Sequence, residues 1–218
     1  MPVKEVRFTE IKYKRSYDII PDIIKEKVKL KYGEIILIID LLLFFLKRKF
    51  LQEEKIFIKS FGTLYVKDFR RAGKLIRFRN SVVLKHIVNR RRENEFNPTR
   101  YSYTEEFDQI FRNIAKILLI KPKDISFIFS LFLYGISRAL LEKEVIKIRN
   151  FGIFYCRRRN YRGNYEEGII GQVDNFVWVK FRPTPRFVRE LYKREDEIYC
   201  FKRVKNLLKL HGIENKLR

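Results

Sequence analysis

One phrase is written twice in this chain. "IFIKSFGTLYV" runs from Ile56 to Val66, and "IKIRNFGIFYC" runs from Ile146 to Cys156, ninety residues later. Aligning 31–70 with 121–160 without gaps gives thirteen identities in forty positions. They include Ile35/Ile125, Leu41/Leu131, Arg48/Arg138, Ile56/Ile146, Phe61/Phe151, Gly62/Gly152 and Tyr65/Tyr155. Most of the other apolar positions keep their apolar class. A period this long implies a duplicated module, not an array of small repeats. A chain of 218 residues holds two modules of ordinary size.

Both copies follow one grammar. A short amphipathic helix comes first, at 16–30 and 104–120. In the second copy Phe107, Ile110, Phe111, Ile114 and Leu118 recur at helical spacing, and Thr104 is placed to cap the start. A longer helix follows at about 33–50 and 123–141. It is apolar around most of its circumference, so it wants a buried partner of its own kind. Ile-x-Ile alternation then signals a strand, broken at Phe-Gly and resumed beyond it. Gly62 and Gly152 are expected at a tight turn or bulge that needs no Cβ. Return strands are expected at 74–80 and 175–183, and short terminal helices at 81–91 and 184–194. The fold class is therefore α+β, in two tandem helix–helix–hairpin modules at 16–89 and 104–194. The extension 1–15 reads as an extra strand or an arm, and 90–103 as a linker. The extension 195–218 carries an amphipathic helix around 197–210, stopped at Gly212.

Charge narrows the function classes. The chain carries 49 basic and 26 acidic residues, a net charge of +23. Such an excess attracts polyanions and favours binding to a nucleic-acid backbone by counterion release, although an acidic protein partner would serve the same charge. Cys156 and Cys200 form no CxxC and sit near no histidine, so no metal site is expected and a reducing compartment is. No secretory signal is apparent. The most apolar run, Ile35–Leu46, is twelve residues long and carries Asp40. A membrane span needs about 20, so a buried helix is expected and no membrane partner. There is no G-x-x-x-x-G-K, G-x-S-x-G or H-E-x-x-H. His86 and His211 lie far apart, so no enzyme, cofactor or small-molecule substrate is expected.

The order of elements, with "SFGTL" at Ser60–Leu64, "NFGIF" at Asn150–Phe154 and "VKFRP" at Val179–Pro183, resembles the HU and integration host factor family. The resemblance covers 16–89 and 104–194. It implies a dimer of modules whose helices interlock beneath a sheet, with basic arms reaching around DNA. Two arrangements stay open: the copies pair with each other, or each pairs with another chain.

The family's arm carries a proline wedge at its tip that kinks the duplex. Copy 1 has only sixteen residues between Phe61 and Phe78, enough for a plain turn at Arg71-Ala72-Gly73 but not for an arm. Copy 2 has twenty-nine between Phe151 and Phe181, with no proline among them. Arg162-Gly163-Asn164-Tyr165 reads as a reshuffled tip, with Tyr165 where the wedge would be. Candidate contacts to DNA or a protein partner in copy 2 are Arg157, Arg158, Arg159, Arg162, Asn164 and Tyr165. In copy 1 they are Lys67, Arg70, Arg71 and Lys74, with Arg77 and Arg79 in the same patch. Each group reads equally as a charged strand edge kept from aggregating.

Two functions from different classes are expected. The leading one is a structural protein of a phage virion, forming a ring with copies of itself and other virion proteins in the portal–tail assembly. It rests on similarity to proteins of this fold in crAss-like phage virions and on the broken arms. The alternative is an architectural protein of the cytoplasm or nucleoid that coats or bends double-stranded DNA.

Overall fold

A computed structural model describes residues 14–15, 24, 28–70, 73–89, 105–142, 145–159, 176–192, 205–206 and 208–209. The architecture below is that of these residues. In chain order, a two-residue strand β1 (Lys14–Arg15) precedes helix α1 (Tyr32–Glu53), strands β2 (Lys55–Ile58), β3 (Gly62–Phe69) and β4 (Gly73–Asn80), and helix α2 (Val82–Val88). Helices α3 (Glu105–Leu118) and α4 (Pro122–Leu141), strands β5 (Ile146–Ile148), β6 (Gly152–Arg159) and β7 (Phe176–Pro183), and helix α5 (Pro185–Tyr192) follow. Most of the first helix expected at 16–30, the linker and most of the C-terminal helix lie outside the described residues, and residues 28–30, where that first helix is expected to continue, are not helical. Within those regions Ile24 and Leu208 are helical and buried.

Each sheet is an antiparallel meander, β2-β3-β4 and β5-β6-β7, and β1 adds in parallel to β5. The alternation that marked the strands sets their faces. On β2, Ile56 and Ile58 are buried while Lys55 and Phe57 are exposed. Leu64, Ile76, Ile146, Ile148, Phe154 and Val179 point inward with them. The long helices behave as their composition demands. Helix α1 buries Ile35, Leu37, Ile38, Ile39, Leu41 and Leu42, and α4 buries Ile125, Ile128, Phe129, Leu131, Phe132 and Leu133. Helix α4 is long and apolar enough to cross a membrane, but 67% of that stretch is already buried inside the fold. Helix α1 packs against both α3 and α4. The Glu34 carboxylate accepts from the Lys31 N–H at 2.9 Å at the start of α1, and Pro122 occupies the first turn of α4.

One continuous core joins elements from both ends of the chain. Its centre is an aromatic seam. Phe154 of β6 touches Phe61 at 5.4 Å and Phe78 at 5.3 Å between ring centroids, and Phe181 at 4.7 Å. The seam continues from Phe181 to Phe151 at 5.4 Å, Phe187 at 5.2 Å and Phe50 at 5.5 Å. Edge-on and tilted rings at these separations gain quadrupole attraction beyond their buried area. Phe61, Phe78, Phe151 and Phe181 are thus packing residues, as their period predicts.

Strands β4 and β7 lie side by side without a full ladder. Two asparagine amides, Asn80 of β4 and Asn89 at the end of α2, reach the β7 edge instead. Asn89 donates to the Val177 carbonyl at 3.0 Å and accepts from its N–H at 2.8 Å. Asn80, oriented to satisfy its amide, does the same to Val179 at 2.9 and 3.1 Å. A side-chain amide that mimics a peptide in this way satisfies a strand edge that would otherwise be buried unpaired.

The turn chemistry differs from expectation at Gly62 and Gly152. The left-handed residues of the two Phe-Gly turns are Ser60, at φ 62°, and Asn150, at φ 56°. The glycines serve close packing. A Cβ on Gly152 would lie 2.2 Å from the Phe181 ring, and one on Gly62 would lie 2.4 Å from the Arg79 carbonyl oxygen and 2.6 Å from the Phe78 ring. Each glycine leaves room for the phenylalanine of its return strand.

Candidate nucleic-acid interface

The outward faces of the two sheets follow from strand register. On β3 and β4 the outward pairs are Thr63 with Arg79, Tyr65 with Arg77 and Lys67 with Leu75. On β6 and β7 they are Ile153 with Arg182, Tyr155 with Lys180 and Arg157 with Trp178. The repeat makes these equivalent rows. Tyr65 matches Tyr155, Lys67 matches Arg157, Arg77 matches Lys180 and Arg79 matches Arg182. Each face thus carries a tyrosine ringed by three cations. Lys67, Arg77, Arg79, Arg157 and Arg182 are exposed, while Tyr65, Tyr155 and Lys180 are half-buried.

On the first sheet the cations lie over rings. Arg79 sits 5.6 Å from the centroid of Tyr65. Lys67 and Arg77 sit 5.0 and 5.5 Å from Phe69. Such contacts hold a flat guanidinium or an ammonium in place at small cost, leaving its donors available to an anion. Lys85 of α2 crosses to Trp178 of β7 at 4.8 Å and ties the two surfaces together. The inward faces share one core and β4 lies beside β7, so the two basic faces adjoin.

The residues singled out from sequence fall into four groups. Lys67 and Arg157 sit at matching outward positions, and Arg70 is exposed at the end of β3. Lys74 does not belong with them. It lies on the inward row opposite Asp68 and forms an ion pair with Glu54, the residue that ends α1 at φ 55°. Arg158 and Arg159 lie on β6 opposite Val177 and Phe176. Arg71, Arg162, Asn164 and Tyr165 lie outside the described residues. Tyr155, Trp178, Lys180 and Arg182 share the outward face of the second sheet and lie outside the arginine runs. Their signal was present, since period-two alternation puts Tyr155, Arg157, Lys180 and Arg182 on one face.

Among the described residues no group of three or more His, Cys, Asp or Glu side chains is placed to hold a metal. The Cys156 thiol donates to the Leu140 carbonyl oxygen at 3.2 Å. His86 is half-buried on α2, with Nδ1 closed off from solvent.

Residues 107–191 match the sequence model of the family described as bacterial DNA-binding protein, the HU and integration host factor type. The match runs from α3 to α5 and supports an HU-like fold for that region. Neither the curated proteins nor the solved structures include a match to the chain.

Proposed function

We propose that the chain is an architectural DNA-binding protein built as two HU-like modules, 16–89 and 104–194, paired within one polypeptide. The observation that carries this reading is the equivalent basic–aromatic row on each outward sheet face. It is supported by the family match at 107–191 and the net charge of +23. Arg79, Arg77 and Lys67 on one side, with Arg182, Lys180 and Arg157 on the other, contact phosphates of a duplex lying across both sheets. Contacts of this kind fix position and carry little base information. Arg158 and Arg159 at the end of β6, with Arg162, Asn164 and Tyr165 in the segment that follows, extend the surface. With an arm on one side only and no proline wedge, the chain coats duplex instead of kinking it. Cytoplasm or nucleoid is the corresponding location.

The virion-ring reading has one observation in its favour, the short β3–β4 hairpin, and the family match lends it nothing. Titration of a fluorescent 40-bp duplex at several salt concentrations separates the two. The DNA reading expects tight binding near physiological salt, with a slope that corresponds to about six or more released counterions. Binding that vanishes by about 0.15 M salt would mean the charge serves a protein assembly.

A further inference from the structure

A buried ion pair crosses between the two halves at one place only of two that the repeat makes equivalent. Lys47 of α1 pairs with Glu190 of α5, and each residue is 6% exposed. Lys47 also lies over the Phe187 ring at 5.4 Å, and Arg186 reaches Glu190 at 3.1 Å from the same helix. On the other side of the molecule α2 packs on α4, and the matching residues are Ile87 and Ser137. Both are buried, and the Ser137 hydroxyl donates to the Leu133 carbonyl at 2.9 Å. Lys47 corresponds to Ser137 through the ninety-residue offset of the long helices. Glu190 corresponds to Ile87 through the offset that aligns Phe181 with Phe78.

We propose that the Lys47–Glu190 pair makes this interface selective, so that the first half accepts the second half, from its own chain or another copy, and rejects a copy of itself. The inference rests on the reading of two equivalent modules. In a first-half pair, each Lys47 would be buried opposite Ile87. A buried ammonium without a carboxylate is strongly unfavourable, whereas a neutral pair at the same place is not. In a second-half pair, each Glu190 would face Ser137 but keep Arg186, so the ionic penalty is smaller. That pairing loses the amide bridges instead. Asn80 and Asn89 correspond to Pro183 and Tyr192, so nothing equivalent would reach the Val177 and Val179 backbone. Each wrong pairing is disfavoured by a different device, and only the mixed pairing satisfies both.

The test uses full chains. Lys47→Glu and Glu190→Lys are made separately and together. Each single variant should melt lower, Glu190→Lys by on the order of 10 °C because it gathers three cations. The double variant should recover most of that loss. Refolding the two single variants together should give a heterodimer of twice the 26.7 kDa chain mass, because each chain's first half then finds its complement in the other. That species should melt above either variant alone. If the single variants melt like the parent, or the co-refolded chains stay apart with unchanged midpoints, the pair does not select partners. Salt-dependent duplex binding by the parent chain judges the functional reading independently. Intact binding without a heterodimer sinks only the selectivity, and a heterodimer without binding sinks only the DNA function.

Discussion

The two halves of the chain share a hairpin ladder and differ at its tip. Strands β3 and β4 pair over eight residues, from Gly62 with Asn80 to Phe69 with Gly73. Strands β6 and β7 also pair over eight, from Gly152 with Pro183 to Arg159 with Phe176. All the extra length of the second half therefore falls between 159 and 176. The inward residues also trade roles. Leu64 of the first half corresponds to Phe154, and Leu84 to Phe187, while Phe50 corresponds to Leu140. At these three places one half supplies a ring where the other supplies an aliphatic, and the rings meet in the single seam through Phe154 and Phe187. The two halves thus differ in where their rings lie and in the length of chain between their paired strands.

If the seam is what joins the halves, Phe154→Ala should be the most damaging single change. It removes a ring that touches Phe61, Phe78 and Phe181, and a loss of about 3–5 kcal/mol in urea unfolding is expected. Leu64→Ala, at the equivalent position, should cost less, at about 2–3 kcal/mol. Equal effects would mean that the seam is not concentrated in the second half.

The glycines sharpen the comparison. Gly62→Ala and Gly152→Ala should each destabilise by about 3 kcal/mol through overpacking. The first should be worse, since its rigid obstacle, the Arg79 carbonyl oxygen at 2.4 Å, is nearer than the Arg182 carbonyl oxygen at 2.8 Å that Gly152 would meet. Thermal melts of the two variants would rank them, and the reverse order would show that Phe181 is the more tightly held ring. Next comes Asn89→Ala. It leaves the Val177 N–H and carbonyl without their amide partner, for a loss of about 1–3 kcal/mol. Val177 amide exchange should speed up in the same variant, and an unchanged rate would place the junction elsewhere.

Much of this was legible in the sequence because periodicity is a local signal. The Ile-x-Ile runs fixed which face of each strand is buried, and the long apolar stretches predicted helices close to Tyr32–Glu53 and Pro122–Leu141. What the sequence did not reveal depends on contacts between distant segments. The role of Gly152 is set by Phe181, twenty-nine positions along the chain, and that of Lys47 by Glu190. Lys74 misled for the same reason. A basic residue beside Arg70 and Arg71 looks like part of a patch until Glu54 is found next to it. Counting charges along the chain located the basic regions, but only the strand register separated the outward row from the inward one.

The smallest expected effects test whether both halves bind. Arg79 and Arg182 occupy matching outward positions and are exposed, so replacing either by alanine should change stability by less than about 0.5 kcal/mol. Each should weaken duplex binding alike for every sequence and lower the salt slope by about one counterion. If the duplex lies across both sheets, the two losses should match, and the double variant should lower the slope by about two. If only the half with the longer β6–β7 connection carries DNA, Arg182→Ala will lower the slope while Arg79→Ala leaves it unchanged. In that case the first half serves as the partner that completes the core, and binding has passed entirely to the second.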